Sequence, residues 1–213
     1  AGSGKRMNSK VHKQYLIIQD RPVLYYSLKA FEDSAVDEIV LVVGKGEEKF
    51  CRKEIVDKYG ISKVKAIVEG GKERYHSVFE GLKQTSDADY VLIHDGARPF
   101  VNQDIIRRCM QEVQKYQACV VGMPVKDTIK IADEEGYAKQ TPDRKNVWMI
   151  QTPQTFSYAL IYEAYEEMLK TEDTAITDDA MVLERIKGKK SKLIEGSYRN
   201  IKITTPEDLL IAN

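Results

Sequence analysis

Short apolar runs alternate along the chain with stretches that repeat apolar residues every three or four positions. The runs are rich in β-branched residues, which is typical of strands buried on both faces. They predict strands at Ile39 to Val43, Val64 to Val68, Tyr90 to Ile93 and Ala118 to Gly122. Strands that alternate with helices indicate right-handed crossovers and a mostly parallel sheet with helices on both faces.

The stretches between these runs place apolar residues on one face of a helix. In Asn102 to Tyr116, the residues Ile105, Cys109 and Val113 recur at helical spacing behind a possible Asn102 cap. Further helices are predicted at Glu73 to Leu82, about Tyr158 to Leu169 and about Asp178 to Ile186, and β-leaning segments at "KLIEG" and "NIKIT". These elements continue the α/β alternation to the end of the chain.

The alternation is interrupted after Pro124. Two β-leaning stretches flank the turn "DEEG", and a polar segment and "VWMI" follow without a helix of useful length. We therefore expect residues 125–152 to form a β-arm inserted into a single domain that spans residues 1–213. A local hairpin packed on its own domain is the alternative.

Composition limits the classes of function. The chain has 213 residues, 42% of them hydrophobic, and its 33 basic residues balance 33 acidic ones. With zero net charge, no global field attracts a nucleic-acid polymer or a membrane surface, so phosphate binding must be local. The three cysteines show no CxxC spacing, and the apolar runs are far shorter than a bilayer span. These features predict a soluble, cytoplasmic protein.

The first stretch, "AGSGKRM", is a glycine-rich turn with basic residues. It lacks the third glycine of a dinucleotide-binding motif, and Arg6 stands where a Walker A loop has Ser or Thr. Its backbone amides, with Lys5, Arg6 and Lys13, suit a triphosphate, and a flexible basic tail is the alternative. We expect that the strand that would support this turn, and the end of the last helix, are absent from the sequence.

Two later motifs follow predicted strands, where parallel sheets bind ligands. In "YVLIHDGARPFV", Asp95 could hold Mg²⁺ or a ribose hydroxyl, and Arg98 could bind a phosphate. In "EGGKERYHS", the paired glycines admit a flat base, and Ser77 could reach a phosphate or sugar. Plain turns are the alternative at both places. The three histidines show no ligand spacing, and we expect them either to be structural or to support the residues that contact the substrates.

Nine short motifs occur along the chain in an order and at spacings that match those of one known family. They are "AGSGKRM", "KQYL", "GGKER", "HDGARPF", "VKDTIK", "DRKNVW", "QTPQTF", "TDDA" and "NIKITTPEDL". Over essentially the whole chain they resemble the 2-C-methyl-D-erythritol 4-phosphate cytidylyltransferases of the non-mevalonate isoprenoid pathway. The resemblance implies a Rossmann-like nucleotidyltransferase fold and Mg²⁺-dependent transfer of CMP from CTP to methylerythritol 4-phosphate, with release of pyrophosphate.

The resemblance also implies roles by motif position. The expected catalytic residues are Arg6, Lys13, Arg144 and Lys202. The expected CTP-binding residues are Ala1, Gly2, Ser3, Gly4, Lys5, Gly70, Gly71, Ser77 and Asp95. Methylerythritol 4-phosphate would be held by Arg98, Thr128, Arg144 and Thr152. Asp95 would also hold the metal, and the arm would cross to the partner subunit of a homodimer, so that Thr128 and Arg144 complete the neighbouring site.

Three other functions are weighed against this one. Ribitol 5-phosphate cytidylyltransferase shares the chemistry, but "DRKNVW" and "TDDA" follow the methylerythritol pattern. A nicotinamide-dependent oxidoreductase is disfavoured by Met7 at the third glycine position. A non-catalytic nucleotide-binding module would bind CTP without releasing pyrophosphate.

Overall fold

The computed structural model describes residues 12–171 and 175–213. The helices are α1 (Val23–Glu32), α2 (Glu48–Cys51, continued by a π-helix at Arg52–Asp57), α3 (Arg74–Leu82), α4 (Gln103–Tyr116), α5 (Tyr158–Met168), α6 (Asp179–Lys187) and α7 (Pro206–Ala212). The strands are β1 (Ile17–Ile18), β2 (Arg21–Pro22), β3 (Ile39–Val43), β4 (Val64–Glu69), β5 (Tyr90–Ile93), β6 (Ala118–Pro124), β7 (Ile131–Ala132), β8 (Ala138–Gln140), β9 (Trp148–Ser157) and β10 (Lys192–Glu195). Short 3₁₀ helices form at Lys13–Tyr15 and Arg144–Asn146.

Most of the predicted elements form close to their predicted bounds. Strands β3 and β5 match the prediction at both ends. Asn102 caps α4 as expected, because its side-chain oxygen accepts a hydrogen bond from Ile105 N at 3.0 Å. The prediction at "NIKIT" is wrong, since residues 201–204 form no strand. Helix α1, which follows Pro22, was not predicted.

The larger sheet has four strands in the order β10-β6-β9-β5, and β3 pairs with β4 in a separate parallel pair. Strand β10 is parallel to β6, whereas β9 is antiparallel to both β6 and β5. The sheet is therefore mixed, but β5, β6 and β10 run in the same direction, as predicted for a mostly parallel sheet, and β9 is the reversed strand of the four. The chain returns from β6 to β9 through the arm instead of a helical crossover, so β9 enters the sheet in the opposite direction.

Strand β6 shows that helices cover both faces of the larger sheet. Ala118 and Val120 pack into one apolar core with α3, α5 and α6, and the alternate residues Cys119 and Val121 pack into another with α4. All four side chains are almost completely buried. Because side chains alternate across a strand, the two cores lie on opposite faces, which confirms the layered α/β architecture.

The edges of β3 and β5 line a common cavity of about 940 Å³. Apolar side chains of α1 and α3, including Leu24, Leu28 and Val78, also line it. Among the described residues, β3 pairs only with β4 and β5 only with β9, so no strand bridges the two sheets there.

The arm is the segment of chain that connects the end of β6 to the start of β9. Strands β7 and β8 form a short antiparallel pair, and all five of their residues are exposed. The turn between them places Gly136 at φ 89°, a conformation that favours glycine. Residues 148–152 of the predicted arm already belong to β9. No helix in the described parts of the chain has the length and apolar character needed to cross a membrane.

Candidate active site

Asp95 is surrounded by three cationic side chains just beyond the carboxyl end of β5. Its Oδ2 lies 2.9 Å from Lys202 Nζ and 3.5 Å from Arg98 Nε, and its Oδ1 lies 3.9 Å from Arg74 Nε. Burial alone would raise the pKa of Asp95, but Lys202 and Arg74 outweigh it and hold that pKa well below its usual range. The cluster therefore contains an ionised carboxylate, and its three cations give it a local excess of positive charge.

Lys202 reaches this cluster from the segment that was wrongly predicted as a strand. On one side, the buried Asn200 donates from Nδ2 to Thr152 O at 2.9 Å. On the other side, Ile203 N donates to Ala97 O at 2.8 Å, close to the end of β5. These bonds tie the segment to β9 and to the loop after β5, which places the Lys202 ammonium beside Asp95.

Arg74, the first residue of α3, is held by a carboxylate from α6. Its Nη1 and Nη2 donate to the two oxygens of Asp179 at 2.8 and 2.6 Å. The Tyr165 hydroxyl also donates to Asp179 Oδ1, at 2.6 Å, and the Asp179 side chain is completely buried. This fork-like pairing fixes the plane of the guanidinium. Arg74 therefore joins α3 and α6 at the edge of the cation cluster.

Thr152 and His94 support the backbone around Asp95. Asp95 N donates to Thr152 Oγ1 at 3.1 Å, and His94 Nδ1 lies 2.9 Å from the same oxygen. Burial lowers the pKa of His94 to about 4, so the ring is neutral near pH 7. Its Nε2 lies 3.2 Å from Arg98 O, and a carbonyl only accepts; Nε2 therefore donates, and the Thr152 hydroxyl donates to Nδ1. His94 has a structural role, as the sequence predicts.

The paired glycines lie between β4 and α3. Gly70 N donates to Val43 O at 2.8 Å, which ties the turn to the end of β3. A Cβ at Gly71 would lie 2.4 Å from His76 Cβ, so only glycine fits without displacement. Ser77 Oγ donates to Glu73 O at 3.1 Å. The turn opens onto a helix N-terminus, an arrangement that favours anions.

Lys13 lies in the 3₁₀ helix Lys13–Tyr15 and lines the cavity between β3 and β5 described above, where it adds a further cation. The cavity brings together the predicted site residues Lys13, Ser77, Asp95 and Lys202, as well as Arg74, which the sequence analysis did not assign. Arg98 and Thr152 join this group through their contacts with Asp95.

Thr128 and Arg144 do not line this cavity. Thr128 and Arg144 are exposed on the arm, where Arg144 Nη1 donates to Lys126 O at 2.9 Å. The predictions for Ala1, Gly2, Ser3, Gly4, Lys5 and Arg6 fall outside the described residues.

Arg74 and Asp179 were missed even though both lie in motifs that the sequence analysis singled out, "GGKER" and "TDDA". They are 105 positions apart, so no local spacing relates them. The local signal for Arg74 was its position in the run of charged residues that directly follows the paired glycines.

The fold and the cluster together define a class of enzyme. A layered α/β sheet carries a glycine turn before a helix N-terminus, and three cationic side chains surround a carboxylate beyond the end of a strand. This arrangement is typical of nucleotidyltransferases, which work by positioning and neutralising phosphates.

Comparisons with known proteins identify the family within that class. The family model of 2-C-methyl-D-erythritol 4-phosphate cytidylyltransferase, IspD, matches residues 1–213, so the chain belongs to this family. The relative from Lachnospira eligens is 54% identical over 213 residues, covering 99% of this chain and 93% of the relative. The relative from Lachnoclostridium phytofermentans is 50% identical over 212 residues, covering 100% and 91%.

The solved structures agree with the sequence comparison. The crystal structure of 4-diphosphocytidyl-2C-methyl-D-erythritol synthase from Anaerococcus prevotii has a TM-score of 0.86 and 37% identity, and the match covers 98% of this chain and 91% of that one. The cytidylyltransferase from Thermus thermophilus matches with a TM-score of 0.79 and 33% identity, covering 94% and 91%. The predicted Rossmann-like nucleotidyltransferase fold is confirmed.

Proposed function

We propose that this chain transfers CMP from CTP to 2-C-methyl-D-erythritol 4-phosphate in isoprenoid biosynthesis. The products are 4-diphosphocytidyl-2-C-methyl-D-erythritol and pyrophosphate. The family match over all 213 residues supports this function. The observation that carries it is the cation cluster at Asp95, because both substrates are anionic and the cluster offers more positive than negative charge.

The reaction needs no covalent enzyme intermediate. A phosphate oxygen of methylerythritol 4-phosphate attacks the α-phosphorus of CTP, and the bond from that phosphorus to the oxygen bridging to the β-phosphate breaks. Pyrophosphate leaves with the electron pair of that bond. The protein then contributes mainly orientation and charge neutralisation. Lys13 neutralises the reacting phosphates, and Lys202 orients the attacking phosphate.

The described residues also suggest where each substrate binds. The Gly70–Gly71 turn and Ser77 take the nucleotide, because this turn leads directly into the N-terminus of α3. Asp95 accepts from the ribose hydroxyls. Arg98 and Thr152 hold methylerythritol 4-phosphate on the other side of Asp95. Lys13, Ser77, Asp95 and Lys202 line the same cavity, which supports a shared site for the two substrates.

A magnesium ion fits this site if the substrate supplies most of its ligands. Among residues 12–171 and 175–213, no group of three or more His, Cys, Asp or Glu side chains is placed to hold a metal. Mg²⁺ in nucleotide sites is usually bound by one or two carboxylates together with phosphate oxygens. Asp95, kept ionised by its lowered pKa, fits as that carboxylate. When bound, the ion would neutralise charge on the departing pyrophosphate.

The enzyme acts as a homodimer in this proposal. Thr128 and Arg144 are exposed on the arm, and Arg144 holds the base of the arm together through Lys126. Exposed apolar residues on the arm, including Tyr137 at 70% exposure, offer a surface for a second copy. The arm of each subunit then completes the neighbouring site. We place the enzyme in the cytoplasm, where its three free, buried cysteines stay reduced.

Pyrophosphate release tests the function. The protein is incubated with CTP and Mg²⁺ and with either methylerythritol 4-phosphate or ribitol 5-phosphate, and a third reaction lacks a polyol phosphate. Release with methylerythritol 4-phosphate alone is expected. Preferential release with ribitol 5-phosphate would overturn the substrate assignment, and CTP binding without release in any reaction would favour a non-catalytic nucleotide-binding module.

A further inference from the structure

Lys13 lies in a turn whose two ends contact one carboxylate. His12 precedes the 3₁₀ helix, and its Nδ1 lies 2.5 Å from Glu47 Oε1. Tyr15 ends the helix, and its hydroxyl donates to Glu47 Oε2 at 2.7 Å. One oxygen of Glu47 therefore contacts His12 and the other accepts a hydrogen bond from Tyr15, so the carboxylate touches residues on both sides of Lys13.

Glu47 is itself fixed to the loop that follows β3. Gly44 N donates to Glu47 Oε2 at 2.9 Å, and Glu47 N donates to Gly44 O at 3.1 Å. A Cβ at Gly44 would lie 2.8 Å from Glu47 Oε2, so the carboxylate occupies the space that a larger residue would need. Burial alone would raise the pKa of Glu47, but the hydrogen bonds from Tyr15 and Gly44 outweigh it and lower that pKa.

Tyr15 extends the contact to α2. Its hydroxyl lies 2.9 Å from Cys51 Sγ, and its ring packs edge-on against Phe50 with 5.1 Å between centroids. The hydroxyl has one proton, which it donates to Glu47, so the thiol donates to the hydroxyl. Burial raises the pKa of both Tyr15 and Cys51, which keeps both groups protonated. The turn around Lys13 is therefore anchored by a continuous chain of hydrogen bonds that runs from Cys51 through Tyr15 and Glu47 to Gly44.

We propose that Glu47 is a positioning residue that fixes the backbone of Lys13 at the active-site cavity. The inference rests on the proposed role of Lys13 in neutralising the reacting phosphates. A lysine side chain has several rotatable bonds, so its ammonium reaches a defined point only if its backbone is held. A displacement of about 1 Å in such a group can lower the rate by about 100-fold.

Glu47→Gln tests the proposal, because it keeps the size of the side chain and removes the charge. We expect kcat for pyrophosphate release to fall by about 10-fold or more, while the Kd for CTP changes by less than about 3-fold, because the contact acts on the transition state more than on the bound nucleotide. Glu47→Asp keeps a carboxylate and should recover part of the loss. Glu48→Gln removes the same charge from the next residue and should behave as the wild type.

A double-mutant cycle with Lys13→Ala separates positioning from a general structural effect. Lys13→Ala should lower kcat far more than it weakens CTP binding. If Glu47 acts through Lys13, adding Glu47→Gln to Lys13→Ala causes no further loss of kcat. A multiplicative further loss would overturn the proposal and leave the role of Lys13 intact. An unchanged kcat in Lys13→Ala would overturn both.

Two other variants perturb the same contact if Glu47→Gln does not fold. Tyr15→Phe keeps the ring against Phe50 and removes the hydroxyl. Gly44→Ala leaves Glu47 unaltered but pushes its carboxylate away. Both should lower kcat without a matching change in the Kd for CTP, and wild-type kcat in both folded variants would overturn the proposal.

Discussion

The buried carboxylate of Asp179 should make a large contribution to the stability of the fold. Asp179→Ala removes two hydrogen bonds from Arg74 and one from Tyr165, all between 2.6 and 2.8 Å. It leaves a guanidinium that is only 34% exposed and a buried hydroxyl without their acceptor. Removing one partner of a buried ion pair costs about 3–5 kcal/mol. Because Arg74 remains partly exposed and close to Asp95, we expect about 3 kcal/mol, at the lower end.

Urea denaturation and thermal melting measure this loss. For a chain of this size, about 3 kcal/mol lowers the melting temperature by roughly 6–12 °C. Asp87→Ala, which removes an exposed ion pair with Lys65, is the matched control and should unfold close to the wild-type midpoint. A loss below about 1 kcal/mol for Asp179→Ala, or a loss equal to that of the control, would refute the reasoning.

Two companion variants test the cause of the loss. Tyr165→Phe removes only one hydrogen bond to a charged acceptor and should cost about 1.5–3 kcal/mol. Adding Arg74→Met to Asp179→Ala removes the unpaired charge and should restore part of the stability, because an apolar pair avoids the desolvation cost. Failure of the double variant to recover would show that the loss does not come from the stranded guanidinium.

Three further predictions concern pH, the glycine turn and the arm. The pKa of His94 is lowered from about 6.5 to about 4, so below pH 6.5 the unfolded chain takes up a proton that the folded protein does not. The wild type should therefore lose about 1.5 kcal/mol more stability than His94→Asn between pH 6.5 and 5, and equal urea midpoint shifts would contradict this. Gly71→Ala should weaken CTP binding in calorimetry, since its Cβ would lie 2.4 Å from His76 Cβ, and an unchanged Kd would argue against nucleotide binding at the turn. Mixing Arg144→Ala subunits with Lys13→Ala subunits should regenerate part of the activity through one intact hybrid site, and no recovery in verified heterodimers would count against the crossing arm.

Much of the fold was predictable because its signals are local. The apolar runs at Ile39–Val43 and Tyr90–Ile93 became β3 and β5 with the predicted bounds. The cap at Asn102 is a contact across three residues, which sequence spacing describes directly. The prediction at "NIKIT" failed because β-branched residues there suit extended backbone, yet the segment forms individual bonds to β9 and the β5 loop instead of pairing as a strand.

The candidate site was only partly predictable. Motif positions predicted Lys13, Asp95 and Lys202, which line one cavity. Their supports were missed, because Glu47 contacts Tyr15 across 32 positions and Asp179 contacts Arg74 across 105. No periodicity or cap relates residues at such separations.

The sequence by itself determined most of the strands and helices and the family to which the chain belongs, because hydrophobic periodicity, caps and ordered motifs are properties of neighbouring residues. Only the tertiary structure decided that β9 runs antiparallel, that three cations surround Asp95, and that one carboxylate holds both ends of the Lys13 turn. Strand direction depends on the path of the connection, and electrostatic and hydrogen-bond energies depend on distances in space, which the order of residues does not contain.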